Sequence, residues 1–181
     1  MNEPILITGS HRSGTTWVGN IIQNLPRIYY LHEPLTPNSI TRGLFNTDIW
    51  YKYYDPKKEY ENIETILNEL FSGSYPFKAM FHFKNSLPHT DYRNPNGIND
   101  GKIDLKYFKW RINTYIDSKR LNKKEIIPLI KDPIALTAAE LIYHKWNSKN
   151  VILIRHPAAF VRSLIRLNWR FNFENFTKQP D

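Results

Sequence analysis

The chain has 181 residues, 41% hydrophobic and 23% charged, which is enough for one globular domain with a buried core. Lys and Arg number 25 against 17 Asp and Glu, and the resulting net charge of +8 favours anionic partners such as nucleic acid, anionic sugars or phosphorylated nucleotides. The absence of cysteine excludes disulfides, thiolate metal sites and a cysteine nucleophile, and no apolar run reaches the roughly 18 residues a membrane span needs.

In chain order, residues 5–8 form a short apolar run that stops at Gly9, which predicts a buried strand. Glu3 and Pro4 lead straight into it without a leader pattern, and the expectation is a cytoplasmic protein. Residues 14–25 predict a helix stopped by Pro26, and residues 28–31 a second strand closed by His32-Glu33-Pro34. Residues 60–72 place Ile63, Ile66, Leu67 and Leu70 on one face of an amphipathic helix. Residues 85–101, dense in Asn, Pro, Asp and Gly, predict a loop, and a helix is expected over 103–120. A regular alternation then follows: strand 126–130, helix 135–146, strand 151–154, helix 158–168. Strands alternating with helices predict a three-layer αβα domain over 1–181, with a parallel sheet and a largely helical insertion at roughly 38–125.

The first strand, loop and helix carry the spacing Gly9-x-x-x-x-Gly14 of a phosphate loop. Such loops bind anions because N–H groups at a helix start lack internal partners and point at the ligand. In loops that work on nucleoside triphosphates a lysine follows the second glycine and neutralises the terminal phosphates. Here that position is Thr15, and the cation has moved to Arg12, a permanently charged fork suited to tetrahedral oxyanions. The shift predicts a ligand with a terminal anionic group and no metal. The six histidines show neither H-x-x-x-H nor H-E-x-x-H spacing, and there is no G-x-S-x-G.

Arg12-Ser13-Gly14-Thr15-Thr16-Trp17 resembles the 5′-phosphosulfate loop of sulfotransferases that use 3′-phosphoadenosine 5′-phosphosulfate (PAPS). The segment "VILIRHPAAFVRS", residues 151–163, resembles the 3′-phosphate motif of the same family through Arg155, Pro157 and Ser163. The resemblance covers these two motifs and their strands. It implies a P-loop-NTPase-like fold, PAPS as donor and the 3′,5′-bisphosphate PAP as product. It also implies Arg12, Ser13, Gly14, Thr15, Thr16 and Trp17 at the 5′ end of the donor, with Arg155 and Ser163 at its 3′-phosphate. Members of the family carry a later basic, glycine-containing loop, so a chain ending at Asp181 reads as a truncated or minimal member.

Sulfuryl transfer needs a base on the acceptor hydroxyl and cations on the leaving side. Glu33-Pro34 resembles the Glu-Pro of carbohydrate sulfotransferases, which implies Glu33 as the base, with Arg12 serving the leaving oxygens. In cytosolic small-molecule members the base is the histidine of a Lys-x-His segment. Lys131 matches that lysine, but Asp132-Pro133 stands in place of the histidine, which favours the carbohydrate-type branch. Lys131 is expected to contact the transferring sulfonate; Asp132 is a reserve base and His82 a weaker one. His11 and His156 lie in the two binding loops. Aromatic residues such as Trp50, Tyr51 and Tyr53, with Lys78 and Lys84, suit a glycan or small-molecule acceptor in the insertion. The alternatives are a phosphate-loop small-molecule or nucleotide kinase and a non-catalytic module that binds PAPS or PAP. Nucleic-acid binding rests on charge alone, because no reader motif accompanies it.

Overall fold

The computed structural model describes residues 2–35, 51–73, 125–169 and 174–177, and the structural statements below concern these residues. The elements are β1 (Ile5–Gly9), α1 (Thr15–Ile22), β2 (Ile28–His32), α2 (Glu61–Phe71) and β3 (Ile127–Lys131). A 3-10 turn (Pro133–Ala138), α3 (Ala139–Trp146), β4 (Lys149–Leu153), α4 (Pro157–Arg166) and a short α5 (Glu174–Thr177) follow. The loop expected at 85–101, the helix expected at 103–120 and most of the insertion lie outside the described residues. So does His82. No helix among the described residues is long and apolar enough to cross a membrane.

The protein is α/β, with the strands in the order β2-β3-β1-β4 and all pairings parallel. Inner strands of such a sheet are buried on both faces, so they read as unbroken apolar runs: Leu6, Ile7, Leu129 and Ile130 have no exposed surface. Pro128 has no N–H to donate. It falls at the second residue of β3, before the ladder with β1 begins at Leu129. β4 starts earlier than its apolar run because its register follows the backbone of β1, pairing Ile5 with Lys149 and Gly9 with Leu153. The helix expected over 135–146 is divided. Pro133 opens the segment, the Asp132 carboxylate accepts from the Ile134 N–H, and the first turn tightens to 3-10 before α3 begins.

The connections from β1 to β2 and from β3 to β4 cross the sheet in opposite directions. Right-handed crossovers then place α1 and α3 on opposite faces. Side-chain alternation agrees. A Cβ at Gly19 of α1 would lie 3.1 Å from Lys131 Cγ and from the Tyr30 hydroxyl, so α1 rides close over β2 and β3. Leu6, Tyr29, Leu31 and Ile130 instead join Leu67, Leu70 and Phe71 of α2 and Leu141 and Ile142 of α3 in one core. Each such side chain contributes about 1.5–3 kcal/mol on full burial. The arrangement is compatible with three layers. It also makes the carboxyl ends of β1 and β3 the place where successive connections part, which in open α/β sheets is where a crevice opens.

Candidate functional site

The segment after β1 turns back at once: the Ser13 N–H donates to the Ser10 carbonyl over 3.0 Å. Gly9 has φ +141°, and a Cβ there would lie 2.2 Å from the Leu153 carbonyl oxygen, so only glycine fits between β1 and the end of β4. Gly14 has φ +104° and caps α1, with nothing within 4 Å of where its Cβ would be. The opening N–H groups of α1 have no partners inside the helix. The Ser13 hydroxyl oxygen is buried with no hydrogen-bond partner among the described residues. An unmade bond of that kind costs about 1–3 kcal/mol.

Arg12 stands in the left-handed region at φ +67°, where non-glycine residues are uncommon. Distant parts of the chain hold it there. Its Nε donates to Ser163 Oγ in α4 over 3.2 Å, and its guanidinium lies 5.6 Å from the centre of the Trp169 ring. Arg155, just beyond β4, donates from Nη1 to the Arg12 carbonyl over 2.6 Å. The two sequence motifs, 143 residues apart at Arg12 and Arg155, therefore meet at one edge of the sheet. Ser163 is 5% exposed and fills its place as the acceptor for Arg12. Thr15 is buried in the first turn of α1. Thr16 is exposed and Trp17 is 71% exposed, so these two stand in solvent.

His11 sits inside an aromatic collar. Its Nδ1 is hydrogen-bonded to the Tyr51 hydroxyl, and its ring lies 5.5 Å from Phe160 and 6.4 Å from Trp169. Burial, and then the neighbouring Arg12 charge, lower its pKa. His156 serves the fold, its Nδ1 accepting from the Ala158 N–H at the start of α4. Nothing in the sequence tied Phe160 or Trp169 to the loop. A lone ring beyond a helix is indistinguishable from core until contacts are known.

A second cluster lies at the ends of β2 and β3. Lys131 has no exposed surface, and its ammonium is ion-paired with Glu33, whose side chain is 23% exposed. Glu33 is also left-handed, at φ +48°, and its N–H donates to the Lys131 carbonyl over 2.7 Å. A following proline narrows its backbone choices further, so this corner is held in place by its surroundings. Asp132 is fully buried. Its carboxylate accepts from the Leu35 N–H over 2.7 Å and the Ile134 N–H over 3.1 Å. Among the described residues no group of three or more His, Asp or Glu side chains is placed to hold a metal ion.

Burial first, and then the Glu33 charge, raise the Asp132 carboxyl from 3.8 to about 7, against the pull of the two N–H donors and Lys131. Between these values the folded chain keeps a proton that the unfolded chain has released. The contribution of Asp132 to stability is therefore full below about pH 4 and falls as the pH rises towards 7. His11, with its pKa lowered, acts in the opposite sense, losing stability as the pH falls below its unfolded value of 6.5. Asp132→Asn removes the first effect and leaves the second. Chemical denaturation from pH 4 to 7 should show the stability difference between parent and variant changing by on the order of 3–4 kcal/mol. A pH-independent difference would contradict the assignment.

Comparison of the chain with protein-family models, with curated proteins and with solved structures finds no match. The functional reading therefore rests on the geometry and on the motifs.

Proposed function

We propose that the chain is a PAPS-dependent sulfotransferase of P-loop-NTPase-like fold, acting on a hydroxyl of a carbohydrate or glycolipid-type acceptor. The observation that carries this reading is the direct contact between the Arg12 loop and the Arg155–Ser163 segment at the carboxyl ends of β1 and β4. The Arg155 guanidinium on the Arg12 carbonyl brings two cationic residues to one loop, each with further N–H donors, which suits an anionic ligand. The open space at Gly14 and the N–H groups that open α1 fit a phosphate or sulfonate oxygen. A lysine on the loop, as a nucleoside triphosphate would need, is missing at Thr15, and the buried position of Thr15 leaves no room for that role.

Bound there, the donor would supply a sulfonate activated by its bridge to phosphate. Arg12 and the first N–H groups of α1 neutralise charge gathering on the leaving phosphate oxygen. A Glu33 carboxylate oxygen takes the proton of the acceptor hydroxyl as that oxygen bonds to sulfur and the bond from sulfur to the bridge oxygen breaks. Lys131, itself without exposed surface, aims Glu33 through their ion pair.

Thermal unfolding with added nucleotides tests the reading. At about one hundred times its dissociation constant, 3′-phosphoadenosine 5′-phosphate should add about 2.7 kcal/mol and raise Tm by about 5–10 °C. ATP with magnesium should do much less. Arg155→Ala should abolish most of the bisphosphate shift. A larger shift with ATP and magnesium would favour the kinase reading instead.

A further inference from the structure

We propose that Asp132 is a positioning residue for Glu33: its buried carboxylate, bonded at once to the Leu35 and Ile134 N–H groups, locks the Glu33-Pro34-Leu35 corner so that Glu33 stays on Lys131. This inference rests on the sulfotransferase reading of Glu33.

The corner needs such a lock. Among the described residues β2 lies at the edge of the sheet, paired with β3. Glu33 is left-handed and precedes a proline, a combination the backbone does not adopt unaided. Among the described residues three links tie the corner to the end of β3: the Glu33 N–H to the Lys131 carbonyl, the Glu33 carboxylate to the Lys131 ammonium, and the Leu35 N–H to Asp132. The Asp132 backbone is itself tied into the sheet, its N–H donating to the Ile7 carbonyl of β1 over 3.0 Å. Asp132 thus connects the corner to the innermost part of the sheet, 97 residues away in sequence. With no exposed surface it cannot meet an acceptor hydroxyl, so it acts through Glu33 and is not the base. A buried carboxylate is costly to desolvate, and an apolar side chain could fill the same space. Two hydrogen bonds accepted from two different segments are what the apolar substitute would lack.

Two variants separate the tether from the turn it also caps. In Asp132→Ser the hydroxyl can still accept from the Ile134 N–H but is too short to reach Leu35. In Asp132→Asn one accepting oxygen remains in place. Amide hydrogen exchange, steady-state kinetics with PAPS and an acceptor, and stabilisation by 3′-phosphoadenosine 5′-phosphate are measured on each full-length variant. In the parent the Leu35 amide should be protected. In Asp132→Ser that protection should fall by about tenfold or more while that of Ile134 persists. The kcat should fall by about 10- to 100-fold, as for a misplaced catalytic group, with the KM for PAPS and the bisphosphate shift within about twofold of the parent. Asp132→Asn should be intermediate, and it decides by the same measurements if Asp132→Ser does not fold. The proposal is overturned if kcat is unchanged, if bisphosphate binding falls in step with kcat, or if the parent Leu35 amide exchanges freely. Absence of both transfer and bisphosphate stabilisation in the parent overturns the sulfotransferase reading and with it the catalytic half of the inference. The Leu35 amide still decides the tether in that case.

Discussion

Glu33→Gln should lower kcat for sulfuryl transfer by about 10²–10⁴-fold, the usual contribution of a positioned general base. The amide has nearly the same shape and still offers Lys131 an oxygen, so the corner should keep its geometry. The loop proposed to hold the donor is supported by other residues, Arg12, Arg155 and Ser163, and stabilisation by the bisphosphate should persist. The Lys131 ammonium, without exposed surface, loses its charged partner. Buried ions left with a neutral partner are destabilising, and a loss of about 1–3 kcal/mol is expected. Parallel measurement of kcat, KM for PAPS and Tm separates these effects. Turnover at the parent rate would remove Glu33 from the mechanism. Joint loss of turnover and bisphosphate binding would assign it to the fold.

The second large effect concerns Gly9. An added Cβ would lie 2.2 Å from the Leu153 carbonyl oxygen, and the backbone φ of +141° is closed to L side chains. The opposing atom belongs to β4 itself, in the pair that ends the β1–β4 ladder, so no side chain can swing away. Relief requires β4 to separate from β1 at the point where Arg155 leaves the strand. Gly9→Ala should cost about 4 kcal/mol or more, a large share of the 5–15 kcal/mol that holds a typical domain together. A Tm lowered by about 10 °C or more, or failure to accumulate as folded protein, is the expected result. A variant of parent Tm would show that the strand pair is spaced differently. Gly14→Ala makes a useful contrast, since strain from φ +104° remains but nothing crowds the new methyl group.

Much of the α/β framework could be read from the residues. The apolar runs at β1 and β3, the glycines around the loop and the 3.6-residue pattern of α2 each reflect local demands, and local demands are written in short segments. Element ends were less accessible. β4 begins at Lys149 because its partner strand sets the register, and no apolar side chain announces that. The division of the segment after Asp132 into a 3-10 turn and α3 depends on a cap that a helical pattern does not record.

The candidate site divides in the same way. From sequence alone came Arg12 in place of the loop lysine, the Arg155–Ser163 spacing, Glu33 before a proline, and Lys131 at a strand end. Tertiary structure decided that the Arg155 guanidinium holds the Arg12 carbonyl, that Trp169 lies against Arg12, that Lys131 pairs with Glu33, and that Asp132 is a buried clamp. The physical reason is range. Spacing along a chain reports the geometry of its own strand or helix, whereas these contacts join residues about a hundred or more positions apart, and only the order β2-β3-β1-β4 brings them together at the carboxyl ends of neighbouring strands.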